Sequence, residues 1–164
     1  MEKILISACL LGERVRYDGR DARAGVALLD GWREEGRLVA ICPEVAGGLP
    51  VPRPAAEIVG GRGAEVWAGS ARVVTAAGDD VTAHFLAGAR AALALARRHG
   101  VRVAVLKERS PSCGSSSVHD GSFAGRRVPG MGVTTALLRA EGVQVFSDEE
   151  LEQAAAFVEA LERR

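Results

Sequence analysis

Short aliphatic runs alternate along this chain with longer stretches whose apolar residues recur at helical spacing. Ile4-Leu5-Ile6-Ser7-Ala8-Cys9-Leu10-Leu11 is mainly apolar and is closed by Gly12, the pattern of a strand buried on both faces that feeds a loop. From Ala22 to Glu35, the residues Val26, Leu28, Leu29 and Trp32 share one face of a helical repeat, and Gly36 stops it. Leu38 to Cys42 reads as a second buried strand. Strand, helix, strand is the repeating unit of a parallel sheet.

The rhythm breaks between Pro43 and Gly63. Pro43, Pro50, Pro52 and Pro54, with several glycines, predict an irregular loop, and a long loop in a compact domain usually has a task. Ala64 to Trp67 and Ala71 to Thr75 are expected to pair as a hairpin across Ala68-Gly69-Ser70. Asp79 or Asp80 then caps a helix with Val81, Phe85, Ala89 and Leu93 on its apolar face, ending near Gly100. Val101 to Leu106 is the next strand. A second polar, Gly- and Ser-rich region runs from Cys113 to Gly132 and leads into a short helix from Val133 to Leu138. Val143 to Phe146 supplies another strand. Ser147 and Glu150 form a capping box for the last helix, whose inner face holds Leu151, Ala154, Val158 and Leu161. The expectation is a three-layer α/β fold with a mostly parallel sheet of at least four strands, residues 1–164 forming a single domain.

Composition narrows the function. Among 164 residues, basic and acidic side chains number 21 each, so the chain lacks the net charge that draws a protein to nucleic acid or an anionic membrane. Met1-Glu2-Lys3 passes directly into a strand pattern, without a secretory leader, and no apolar stretch has the length of a membrane span. A cytoplasmic protein is expected. Of the basic residues only Lys3 and Lys107 are lysines, which draws attention to Lys107 near the third cysteine.

The three cysteines, Cys9, Cys42 and Cys113, carry the strongest chemical signal. Each lies at or just beyond the carboxyl end of a predicted strand, where open α/β sheets bind ligands. They lack the close Cys-x-x-Cys spacing of thiol exchange, and three cannot all pair within one chain. A shared three-thiolate site with one open position follows, suited to a catalytic zinc or to an iron-sulfur cluster; spacing does not choose between them. Glu44, immediately beyond Cys42-Pro43, is the candidate for proton transfer. Ser110 can orient a carbonyl or water, and Asp18, Arg53, Lys107 and Ser112 are candidates for the surrounding substrate pocket. His84, His99 and His119 are read as ordinary structural or surface histidines, and Gly130-Met131-Gly132 before a helix is only a partial anion-binding pattern.

Together, Ser7-Ala8-Cys9-Leu10-Leu11-Gly12, Arg16-Tyr17-Asp18-Gly19, Cys42-Pro43-Glu44, Gly47-Gly48-Leu49, Pro52-Arg53, Lys107 to Gly114, Asp120-Gly121-Ser122-Phe123 and Gly130 to Thr134 resemble the thiouracil desulfurase family. The resemblance covers nearly the whole chain. It implies a Rossmann-like domain with a [4Fe-4S] cluster held by Cys9, Cys42 and Cys113, whose fourth iron takes the sulfur of a thiocarbonyl while water supplies the oxygen. It places the catalytic pair on Glu44 and Ser110. The implied partner is a small thiolated heterocycle such as 2-thiouracil, without nucleic acid or membrane; a homodimer and a separate sulfur acceptor are left open. Two other readings stand beside the desulfidase: a zinc-dependent hydrolase using the same cysteines, and a non-enzymatic metallocluster or sulfur-carrier protein.

Overall fold

A computed structural model describes residues 1–23 and 26–164. Its centre is a four-stranded parallel sheet of β1 (Ile4–Ser7), β2 (Leu38–Ile41), β5 (Val103–Leu106) and β8 (Gln144–Ser147), in the order β2-β1-β5-β8. Ile4 stands opposite both Leu38 and Val103, and Val103 opposite Gln144, so the carboxyl ends of the strands open along one edge. The aliphatic runs make this arrangement because a central strand must bury both of its faces.

Alternation then divides the core. Leu5, Ala104, Leu106 and Val145 point to one face and pack with Ala92, Leu93 and Ala96 of α4 (Thr82–Arg98) and Leu138 of α5 (Val133–Ala140). Ile4, Ile6, Val103 and Val105 point to the other face, against Leu29 and Trp32 of α1 (Ala27–Glu34) and Ala154 and Val158 of α6 (Leu151–Glu162). The expected three-layer α/β architecture is therefore present. The part of the first predicted helix at residues 24 and 25 lies outside the described residues; the described helix begins at Ala27.

Two expectations fail in the middle of the chain. The Pro-rich segment is not wholly irregular: it contains the one-turn helix α2 (Pro43–Ala46) and the strand β3 (Ala56–Val59). The predicted hairpin of residues 64–75 does not form, because Gly63–Ala68 is the short helix α3 and β4 (Arg72–Thr75) pairs antiparallel with β3 instead. The Glu65 side chain accepts the Arg62 N–H at 3.0 Å, which starts the helix where the hairpin expectation placed a strand. Ile58, Val66, Val73 and Phe85 join these elements to α4 in a third apolar cluster.

The residue at the cap of α4 is Val81, not either aspartate as expected, and it makes no side-chain cap bond; Asp80 just before it accepts the Thr82 N–H at 2.9 Å. Before α6, Glu150 Oε1 accepts the Ser147 N–H at 3.0 Å, whereas Ser147 Oγ accepts from Glu149 rather than from Glu150. Within the polar region after Cys113, β6 (Ser117–His119) and β7 (Arg127–Pro129) form a small antiparallel pair. Among the described residues no helix is long and apolar enough to cross a membrane.

Candidate active site

The carboxyl edge of the sheet opens into a cavity of about 390 Å³. All three cysteines line it, each delivered by a different strand end. Cys9 lies in a single 3-10 turn, Ala8–Leu11, that follows β1 and ends on Gly12 at φ 96, a left-handed conformation that a side chain would strain. Cys42 follows β2 and precedes α2, with Pro43 in the first helical position, where its missing N–H costs nothing. Cys113 sits in the loop after β5. That loop is docked on the start of α5: Val133, Thr134 and Thr135 donate their N–H groups to Pro111 and Ser112 carbonyls, and Thr135 Oγ1 donates to Cys113 O at 2.9 Å. Cys9 is packed in the core shared with α1 and α6, Cys113 in the core shared with α4 and α5.

Burial dominates the acidity of these thiols. It pushes Cys9 up to about 11, with the neighbouring Cys42 adding to the rise and Lys107 and Arg16 opposing it. Cys113 is driven up to about 12 by burial, partly offset by the Ser112 hydroxyl. Cys42 is raised by the same cause. Bare thiolates are thus unfavourable here, and a bound cation that supplies the missing positive charge would reverse the balance. The three thiols fit a thiophilic metal group. Among the described residues, however, no three His, Cys, Asp or Glu side chains gather closely enough to hold a single metal ion.

Glu44, the second residue of α2, faces the cavity with its two oxygens differently engaged. Arg53 Nε donates to Oε1 at 3.1 Å; Ser112 Oγ donates to Oε2 at 3.1 Å, and Ser110 Oγ lies 3.4 Å from the same oxygen. Ser110 Oγ accepts the N–H groups of Ser112 and Cys113 at 3.1 and 3.2 Å. With its lone pairs so occupied, the Ser110 hydroxyl is left to donate, toward Ser112 Oγ at 2.9 Å, toward Glu44 or toward a molecule in the cavity. Ser112 Oγ also lies 3.4 Å from Cys113 Sγ, which links the carboxylate to the thiol.

The structure brings together Cys9, Cys42, Cys113, Glu44, Ser110, Ser112, Arg53 and Lys107, all on the cavity wall. Lys107 Nζ is 3.5 Å from Asp148 Oδ2. Asp18 does not line the cavity: its Oδ1 accepts the Arg20 N–H at 2.9 Å within its own turn, while the preceding Arg16 and Tyr17 face inward. Glu57 and His119 also line it, and nothing local in their sequence marks them; Glu57 arrives on β3, hidden within the proline-rich stretch. Glu108 is structural as well. Its buried carboxylate accepts the N–H groups of Arg109, Ser115, Ser116 and Ser117 and so shapes the loop that carries Cys113.

A parallel α/β sheet that gathers three thiols and a serine-bonded carboxylate on one cavity wall has a thiol-rich site at the edge where open α/β sheets bind their ligands. The family model of 2-thiouracil desulfurase matches residues 4–150, and the chain belongs to that family. An uncharacterized protein of Bacillus subtilis (strain 168), YbbK, is 43% identical over 148 residues, covering 90% of this chain and 97% of its own. The solved structure of the [4Fe-4S]-dependent thiouracil desulfidase TudS is 50% identical and superposes with a TM-score of 0.89, covering 98% of this chain and 99% of that one.

Proposed function

We propose that this chain is a desulfidase that replaces the sulfur of a small thiocarbonyl heterocycle, such as 2-thiouracil, with oxygen from water, using a [4Fe-4S] cluster held by Cys9, Cys42 and Cys113. The observation that carries the reading is the Glu44, Ser110 and Ser112 network on the wall of the cavity that all three thiols line. The likeness to the TudS structure over nearly both full lengths supports the cofactor and the substrate class. We also take residues 1–164 as one domain and the cytoplasm as its place of work.

The reaction balances without electrons: a C=S group and one water become a C=O group and hydrogen sulfide. When bound, the cluster supplies a soft Lewis acid for the departing sulfur. The chain's own residues do the rest. Glu44 takes a proton from the attacking water at Oε2, the oxygen turned toward the serines, while Arg53 keeps Oε1 occupied. Ser110, fixed as a donor by two backbone amides, holds the substrate through its hydroxyl. Ser112 has one hydroxyl proton to give, to Glu44 Oε2 at 3.1 Å or to Cys113 Sγ at 3.4 Å.

A single three-thiolate zinc is less well served, because no three ligand side chains among the described residues converge on one ion. Anaerobic reconstitution followed by iron and acid-labile sulfide counts, with release of sulfide from 2-thiouracil as the assay, tests the proposal. Glu44→Gln is expected to keep its iron and lose about 10²- to 10⁴-fold in turnover. Stoichiometric zinc without iron would overturn the mechanism; sulfide uptake that is unaffected by Glu44→Gln would favour the sulfur-carrier reading.

A further inference from the structure

We propose that Arg53 is a positioning residue that acts on the reaction only through Glu44, and does not bind the substrate. The inference rests on the functional reading above. Arg53 lies on the cavity wall, where a substrate contact is the natural expectation. Each of its three nitrogens already donates to the protein, using three of the five N–H groups. Nε donates to Glu44 Oε1 at 3.1 Å, Nη1 to Pro50 O at 3.0 Å and Nη2 to Val15 O at 3.0 Å. These three bonds point to three separate acceptors from a planar group whose side chain is only 4% exposed.

The acceptors belong to three segments: the loop after β1, helix α2 and the proline-rich stretch. Arg53 is itself pinned, its backbone N–H donating to Tyr17 O at 2.7 Å. The Val15 carbonyl that it holds also lies 3.8 Å from Cys42 Sγ. One guanidinium therefore braces the Glu44 carboxylate against two backbone carbonyls and sets its rotation. With Oε1 fixed, Oε2 alone is presented to Ser110 and Ser112. Without the fork, a glutamate at the cavity rim, with 14% of its side chain exposed, is free to turn toward water. Lysine would keep the charge but offers no planar fork with which to reach three acceptors.

The test uses the reconstituted full chain with 2-thiouracil. Arg53→Met is expected to lower kcat about 100-fold, as a carboxylate misplaced by about an ångström should. KM, the equilibrium Kd for 2-thiouracil and iron content should stay within about twofold, the signature of an interaction used in the reaction rather than in binding. Arg53→Lys should retain iron and still lose at least about tenfold in kcat. In a Glu44→Gln background, adding Arg53→Met should change the residual rate by less than about threefold, because residues that act as a unit are not additive.

A rise in KM and Kd with kcat intact would make Arg53 a substrate ligand and overturn the inference. So would full additivity with Glu44→Gln, or wild-type kcat in both arginine variants. Loss of iron and of thermal stability in step with rate, in Arg53→Lys as well as Arg53→Met, would assign a purely structural role and overturn it too. If the unaltered, iron-loaded enzyme releases no sulfide from 2-thiouracil, the functional reading itself fails, and that is seen before any variant is made.

Discussion

Replacing Gly88 with alanine tests whether Glu44 is held in place from behind. Gly88 lies buried in α4, outside the cavity wall, where α2 crosses it. A Cβ built at Gly88 would stand 1.9 Å from Pro43 O and 2.7 Å from Pro43 C. The crossing is tight from the other side as well, since a Cβ at Gly47 would meet His84 O at 2.0 Å, and His84 Nδ1 already bonds Gly47 O at 2.8 Å. To restore even a 3.0 Å contact, the start of α2 must move by about 1.1 Å, carrying Glu44 with it and pulling on Cys42. Displacement on that scale is worth about 100-fold in rate.

The sign of the stability change makes the test sharper. In an uncrowded helix interior, Gly→Ala stabilises by about 1 kcal/mol. Here overpacking should cost about 1–3 kcal/mol, enough to reverse that gain. The assays are sulfide release from 2-thiouracil, iron content, and thermal unfolding of the variant beside its parent. A Gly88→Ala protein that melts higher than the parent and turns over at the parental rate would refute the idea that the glycine crossing sets the position of Glu44.

Other expectations follow from neighbouring features. Burial raises the Glu108 carboxyl, but the amide N–H groups of Ser116, Arg109, Ser115 and Ser117 outweigh it and hold the group below its ordinary value. Its contribution is therefore complete above the unfolded value and disappears as pH falls through the folded one, so Glu108→Gln should cost about 2 kcal/mol at neutral pH and progressively less in acid. A pH-independent gap in urea unfolding would contradict this. Thr135→Val removes the bond to Cys113 O and should cost about 1–2 kcal/mol, with slower iron retention under a chelator; unchanged retention would separate that bond from the thiol loop.

The parts of this fold that were legible in sequence are those in which one physical requirement dominates. Strands β1 and β5, central in the sheet, are buried at every position and therefore read as aliphatic runs; the edge strands β2 and β8 are only partly buried, yet Leu38-Val39-Ala40-Ile41 and Val145-Phe146 still mark them. Helix α4 shows its packing face through Phe85, Ala89 and Leu93. Strand β3 was hidden because prolines at 50, 52 and 54 outweighed the short Ala56-Glu57-Ile58-Val59 run, whose partner is a strand more than ten residues away. Helix α3 was missed because six residues carry too little periodicity to distinguish a turn of helix from a strand. At the site, the cysteines and Glu44 were visible as residue types at strand ends. Their hydrogen-bond order was not: Arg53 and Ser112 reach Glu44 across sequence gaps of 9 and 68, and only folding determines which oxygen each one meets.

The division of the thiols between two cores has a practical consequence. Cys9 is anchored in the apolar layer beneath α1 and α6, and Cys113 in the one beneath α4 and α5. A cofactor gripping both would act as a gauge with one jaw in each half of the molecule. Loosening either layer spreads the jaws, so the colour of a bound cluster would fade before much helix is lost. Mutations far from the cavity, at Trp32 or Val158 on one side or Ala92 or Leu138 on the other, could then be ranked by eye in a plate of cell extracts.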